Sequence, residues 1–177
     1  MKRWQRLEPT IVKKFGYRTM VTKTFRLPDG TVKDYTTKDA EGSGAACVLA
    51  LTTDNKVIVA HQFRPGPERM MDELPGGMIE AGETAEQAAW RELREETGYE
   101  PGELTYLGDV RYDAYTNSSR HYFFAINCRK VAEPSLDEGE FVTLKLITIE
   151  QLIKNAKTGN MTDSAAVLLA YDRLQMY

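Results

Sequence analysis

The stretch GMIEAGETAEQAAWRELREETGY, residues 77–99, constrains this chain more than any other part of it. Thr84 followed three residues later by Gln87 is a capping box, in which each side chain satisfies the other residue's backbone amide, so a helix is predicted to begin there. Ala85, Ala88, Ala89 and Leu93 recur at helical spacing and give that helix one apolar face. Gly98 falls just past its end, where a left-handed backbone favours glycine. Glu92 lies three and four positions before Glu95 and Glu96, which crowds three carboxylates on one side. Each such like-charge pair weakens an isolated helix by about 0.2–0.5 kcal/mol. A hard divalent cation binds carboxylate oxygens and would turn this repulsion into ligation. Arg91 offers donors only, so it is expected to clamp a carboxylate such as Glu83 and hold the loop 77–83 against the helix.

A lone E-x-x-E-E pattern is ordinarily a solvated helix face. Here Pro75-Gly76-Gly77 precedes the helix, and every specified position keeps its spacing: Gly77, five residues, Glu83, seven residues, Arg91-Glu92-Leu93, one residue, Glu95-Glu96, one residue, Gly98-Tyr99. That register favours a metal site over a solvated face.

The length of 177 residues suits one domain, or one domain with a small appendage. Apolar content of 42% with 28% charged residues is ordinary for a soluble globular protein, and no apolar run approaches the roughly 20 residues of a membrane helix. The start, MKRWQR, lacks the apolar core of a secretory signal. Cys47 and Cys128 fall in apolar, strand-like segments, which favours buried reduced thiols and a cytoplasmic setting. His61 and His121 have no usual zinc-site spacing to these cysteines. The net charge of −3 is unevenly spread. Residues 1–39 hold ten lysines and arginines against four acids, a net of +6, and the remainder thirteen against twenty-two, a net of −9. Without an aromatic-basic array of a nucleic-acid module, these cations are expected on the surface and facing phosphate, and a nucleic-acid partner is not expected.

Residues 10–27 read as one strand, residues 28–30 (Pro-Asp-Gly) as a turn and residues 31–37 as a returning strand. The polar run 38–44 marks a boundary. Residues 46–52 and 57–63 read as a hairpin, residues 104–112, 122–128 and 140–147 as strands, residues 150–157 as a short helix, and residues 163–175 as a last helix with Val167, Ala170, Tyr171 and Leu174 as its apolar stripe. Two domains are expected: residues 1–43, a β region serving dimerisation and the substrate pocket, and residues 44–177.

The spacing set out above resembles the Nudix box, and the chain is identified as a member of the Nudix hydrolases. Trp4, the Pro28-Asp29-Gly30 turn, Gln62-Phe63-Arg64, Glu73-Leu74-Pro75-Gly76-Gly77, Asp137-Glu138-Gly139-Glu140-Phe141 and Gly159-Asn160-Met161-Thr162-Asp163 extend the resemblance over nearly the whole chain, toward the ADP-ribose pyrophosphatase branch. The resemblance implies an α/β/α sandwich around a mixed sheet, preceded by a small N-terminal β-hairpin region. It implies magnesium, with manganese as a substitute, and hydrolysis of a nucleoside diphosphate joined to another group, most nearly ADP-ribose to AMP and ribose 5-phosphate. It implies a homodimer.

Carried over by position, Glu92, Glu95 and Glu96 match the metal ligands, together with a backbone carbonyl of Gly76 or Gly77. Arg64 matches an arginine that holds substrate phosphate. Glu138 and Glu140 match an acidic loop that supplies the water-activating base, and a solvated turn is the other reading of each. Phe15 and Tyr17 are candidates for stacking on the base. One departure is plain. Branch members carry a Ser-Pro-Gly-like loop about 15 residues beyond the box, whereas this chain has Ala114-Tyr115-Thr116-Asn117-Ser118-Ser119. A tyrosine there resembles Nudix enzymes acting on dinucleoside polyphosphates, which makes Tyr115 a further substrate-binding candidate. Sugar nucleotides such as GDP-mannose and nucleoside triphosphates remain rival substrates. A non-catalytic nucleotide-sensing domain is the rival class, and retention of every box glutamate argues against it.

Overall fold

The computed structural model describes residues 2–136, 139 and 141–177. The chain divides into two compact units, Met1–Gly44 with Arg111–Ser119, and Ala45–Val110 with Arg120–Tyr177.

In the first unit β1 (Gln5–Phe15), β2 (Arg18–Arg26) and β3 (Val32–Lys38) form an antiparallel sheet in that order. Residues 10–27 are therefore not one strand: Gly16, at φ 59°, turns the chain back and splits the run in two. The Pro28-Asp29-Gly30 turn forms as its chemistry demands, with Gly30 at φ 88° and the Asp29 carboxylate accepting from the Thr31 amide at 2.9 Å. The segment Arg111–Ser119 packs with these strands. Asn117 fastens it, donating to Thr37 Oγ1 at 2.9 Å and to the Asp39 carbonyl at 2.8 Å.

The second unit runs β4 (Gly44–Thr52), β5 (Val57–Arg64), β6 (Arg69–Glu73), β7 (Gly76–Met78), α1 (Ala85–Thr97), β8 (Tyr99–Glu100), β9 (Glu103–Val110), β10 (Ser119–Lys130), β11 (Thr143–Ile147), α2 (Ile149–Thr158), α3 (Ser164–Leu169) and α4 (Tyr171–Leu174). It is a mixed α/β unit built on an eight-stranded sheet of order β11-β5-β4-β10-β8, with β6 on β5, β7 on β4 and β9 on β10. Every residue of β4 from Ala46 to Thr52 is buried, because both faces of this central strand are covered. Its side chains alternate. Ala46, Val48 and Ala50 meet Ala88, Ala89 and Leu93 of α1, whereas Cys47, Leu49 and Leu51 meet Leu152, Ala166, Val167, Ala170 and Leu174 of α2, α3 and α4. Both cysteines are buried free thiols.

Helix α1 starts and stops where its sequence says. Thr84 Oγ1 accepts from the Gln87 amide at 3.2 Å, and the Gln87 carboxamide oxygen accepts from the Thr84 amide at 2.8 Å. Gly98 ends it at φ 74°. Residues 163–175 do not form one helix. The chain breaks between α3 and α4 at Ala170, and Tyr171, assigned to the apolar stripe by spacing, is about half exposed while Val167, Ala170 and Leu174 are buried. Among the described residues no helix is long and apolar enough to cross a membrane.

Gly98 is doubly required, since a Cβ there would also lie 2.0 Å from the Ala132 carbonyl oxygen. Gly98→Ala is expected to lower stability by about 2 kcal/mol or more, from the left-handed backbone and the clash together. Urea unfolding checks this: the midpoint should fall with the slope unchanged.

Candidate active site

One guanidinium organises the loop before α1. Arg91 donates from Nε to Glu83 Oε1 at 2.9 Å and from one terminal nitrogen to Glu83 Oε2 and the Met78 carbonyl, each at 3.1 Å. Its other terminal nitrogen reaches Glu92 Oε1 at 2.8 Å and Glu95 Oε2 at 3.1 Å. Glu83 in turn accepts from the Glu80 amide at 3.0 Å, closing the loop on itself. Arg91, and then the Glu80 amide, hold the Glu83 carboxyl below the ordinary carboxylate range, and the bond to Glu83 raises the Arg91 pKa.

The two glycines of β7 let this loop lie directly on β4 and α1. A Cβ on Gly76 would meet the Ala46 carbonyl oxygen at 2.3 Å, and one on Gly77 would meet Glu92 Oε1 at 2.2 Å. At Gly76 only a bare backbone fits, whereas at Gly77 a side chain would have to displace the end of the Glu92 side chain. Gly76 donates its amide to Glu96 Oε2 at 2.9 Å. Glu92 and Glu96 are thus pressed against the Gly76–Gly77 backbone, and Glu95, about half exposed, faces an open cavity of about 600 Å³ that Trp90 and Arg94 also line. Among the described residues no three acidic, histidine or cysteine side chains converge as a closed ligand shell. The donors that flank the loop are all carboxylate and carbonyl oxygens, the set that hard divalent cations take.

Arg64, at the end of β5, donates from Nε to Glu73 Oε2 at 2.7 Å and from a terminal nitrogen to the same oxygen. Glu73 is 3% exposed and also receives Gln62 at 3.1 Å and Thr162 at 3.1 Å. The bond to Glu73 raises the Arg64 pKa. Sequence reading picked out Arg64 but not the carboxylate that aims it. It also missed Arg120, whose Nε lies 3.0 Å from the fully buried Asp163. The partners are 43 residues apart in the chain, and no local pattern announces the pair.

The first unit holds a cavity of about 710 Å³ lined by Trp4, Phe25, Tyr35, Tyr115 and the polar side chains Lys23 and Asn117. Trp4, Phe25 and Tyr35 form a mutual cluster with ring centroids 5.3–6.1 Å apart. Lys23 lies 2.8 Å from Glu41, whose carboxyl Arg6, and then Lys23, bring down to about 2. Phe15 and Tyr17 are not in that lining. They flank the β1–β2 turn, largely exposed, with the Arg18 guanidinium 5.1 Å from the Tyr17 ring centroid. The aromatics that line this cavity are Trp4, Phe25, Tyr35 and Tyr115. Glu138 and Glu140 lie outside the described residues. Ser135, three residues before Glu138, donates its amide to the Glu95 carbonyl at 2.7 Å.

The NUDIX domain family model matches residues 42–169. The ADP-ribose pyrophosphatase of Bacillus subtilis (strain 168) is 37% identical over 123 residues, covering 68% of this chain and 66% of that protein. The methanol dehydrogenase activator of Bacillus methanolicus is 33% identical over 135 residues, 75% of this chain and 73% of that protein. A crystal structure of an ADP compounds hydrolase superposes with a TM-score of 0.81 at 19% identity, covering 99% of this chain and 96% of that one, a likeness of fold. The chain belongs to the Nudix family. It is a Nudix hydrolase, of a family that works with divalent metal ions.

The depressed Glu83 carboxyl has a consequence for acid stability. A carboxyl lowered by folding contributes stability that is complete above its unfolded value near 4.5 and is lost as pH falls through the lower folded value. Glu83→Gln is expected to be less stable than wild type at neutral pH, with the gap closing below pH 4.5. Melting curves across the acid range would contradict this if the gap stayed constant.

Proposed function

We propose that the chain hydrolyses the pyrophosphate bond of a nucleoside diphosphate joined to a second group, converting ADP-ribose to AMP and ribose 5-phosphate. The observation that carries this reading is the Gly76–Gly77 backbone laid against Glu92 and Glu96, with the Gly76 amide donating to Glu96. The Bacillus subtilis relative's name supports the choice of ADP-ribose.

In this reading Glu92, Glu95 and Glu96, with a carbonyl of Gly76 or Gly77, hold magnesium, for which manganese substitutes. Bound there, the ion offsets the charge of the diphosphate and lowers the pKa of water. Arg91 holds the loop in register with the helix through Glu83, and its contacts to Glu92 and Glu95 keep the like charges close until a ligand replaces it. Arg64, fixed at Nε by Glu73, presents a guanidinium to a phosphoryl oxygen and offsets charge that develops in the transition state. Glu138 takes the proton of the attacking water, with Glu140 as the rival base. The first unit's own cavity, lined by Trp4, Phe25 and Tyr35, has a size and an aromatic lining that suit a nucleobase. The enzyme acts as a homodimer in the cytoplasm, a setting that suits two buried reduced thiols. Tyr115 on the same cavity favours a second reading, a dinucleoside polyphosphate whose second base it would stack.

A panel of ADP-ribose, GDP-mannose, dinucleoside polyphosphates and nucleoside triphosphates, with products identified by mass, tests the substrate. AMP and ribose 5-phosphate should dominate, and a preference for the dinucleoside polyphosphate would favour the second reading instead. Activity should vanish in excess chelator. Glu96→Gln should lower turnover at least about a hundredfold while still accepting the Gly76 amide. Glu138→Gln should lose turnover and retain substrate affinity, with Glu140→Gln little affected, and full activity in both would move the base to the box glutamates. Sedimentation should return twice the 20.0 kDa chain mass.

A further inference from the structure

Two arginines flank the central strand of the large sheet, and the reaction above uses one of them. Arg64 ends β5 and Arg120 begins β10, the two neighbours of β4. Each lies against a carboxylate withdrawn from water: Arg64 donates from Nε to Glu73 at 2.7 Å, and Arg120 Nε is in ion-pair contact with Asp163 at 3.0 Å, out of hydrogen-bond alignment. Glu73 is 3% exposed and Asp163 fully buried, whereas the arginine side chains are 44% and 23% exposed. Both carboxylates are sealed in, and each arginine side chain keeps part of its surface in solvent although Arg120 Nε is itself buried. A single hydroxyl joins the two pairs: Thr162 Oγ1 lies 3.1 Å from Glu73 Oε1 and 3.0 Å from Asp163 Oδ2.

The arrangement sits at the box. Glu96 strengthens the protonation of Arg64 and Arg120 opposes it, so all three groups are within electrostatic reach of one another. Cys47, whose buried thiol is within electrostatic reach of Arg120, pairs through its backbone with Gly76, whose amide holds Glu96. A buried ion pair is a poor source of stability, because two apolar residues of the same volume serve as well or better. Holding two like-charged guanidiniums near each other is useful where an anion with two charged groups must be gripped at both.

We propose that Arg64 and Arg120 form a two-arginine clamp for an organic diphosphate, each cation taking one phosphoryl group, with Glu73 orienting Arg64 by hydrogen bonds and Asp163 holding Arg120 as its buried counter-charge. The clamp rests on the diphosphate-hydrolase reading for its substrate class, but binding can be measured without turnover.

The test is calorimetric titration of the full-length protein with pyrophosphate in excess magnesium, with orthophosphate as control. Arg120→Lys keeps a charge for Asp163 and loses the planar fork. The double variant Arg120→Met with Asp163→Asn removes both members of the buried pair, so no charge is stranded should the lysine fold poorly. Each is expected to bind pyrophosphate at least about tenfold more weakly and orthophosphate within about twofold of wild type, since Arg64 remains. Asp163→Asn alone, which retains Arg120, should raise KM for ADP-ribose more than it lowers kcat. A variant with native near-ultraviolet circular dichroism that binds pyrophosphate as wild type does would overturn the clamp. A wild-type protein that binds pyrophosphate through Arg120 yet cleaves no nucleoside diphosphate derivative would overturn the substrate reading and leave the clamp standing.

Discussion

The contact between Arg91 and Glu83 is the joint on which the site depends. The loop 76–83 sets Ile79 against the core while Met78 stays exposed, and the Arg91 fork supplies what this packing does not. It ties a carboxylate of the loop, a loop carbonyl and two carboxylates of the helix to one planar cation. A lysine would offer the same charge without the fixed fork, and could not hold partners in four directions at once. With the loop held, the Gly76–Gly77 backbone comes to rest on Glu92 and Glu96, and the chemistry of the site follows from that closeness.

The same device recurs across the sheet. Arg64 with Glu73 and Arg120 with Asp163 each set a partly exposed cation against a carboxylate sunk into the interior. The pattern separates two jobs that one residue could not do. In the proposed clamp the acid holds its partner and the arginine meets the ligand. Phosphate chemistry rewards this separation, because charge that must be met in the transition state is best met by groups that need no reorganisation.

What the sequence disclosed was what local chemistry decides. The ends of α1 were legible because Thr84, Gln87 and Gly98 act on their own backbone neighbours. The Arg91–Glu83 clamp was legible because helical spacing and loop length bring the two together. Failures came where local preference was neutral. Residues 10–27 are strand formers throughout, so nothing but Gly16 marked the turn between β1 and β2. The stripe from Val167 to Leu174 runs on unbroken in the sequence while the backbone does not, and Tyr171 faces outward. The cavity around Trp4, Phe25 and Tyr35 depends on strand pairing and on the Asn117 contacts, which join residues about 80 apart. Phe15 and Tyr17, the stacking candidates of the sequence, flank the β1–β2 turn and not that cavity, because aromatic character says nothing of which way a strand turns.

Strand β4 carries one more implication. A strand with one wet face keeps its register by polarity, since a slip of one residue would send apolar side chains into water. This strand has no wet face, so polarity cannot police it. Volume does. The face toward α1 offers Ala46, Val48 and Ala50 and is met by Ala88 and Ala89, a thin layer that brings helix and sheet close together. The opposite face offers Cys47, Leu49 and Leu51 to a deeper layer beneath α2, α3 and α4. A shift by one residue would force leucines under the close-lying helix and leave voids on the far side, an error of fit on both faces at once. The spacing between α1 and the sheet, and hence the height of the glutamates above the glycine loop, is therefore set by the small size of side chains that touch no substrate.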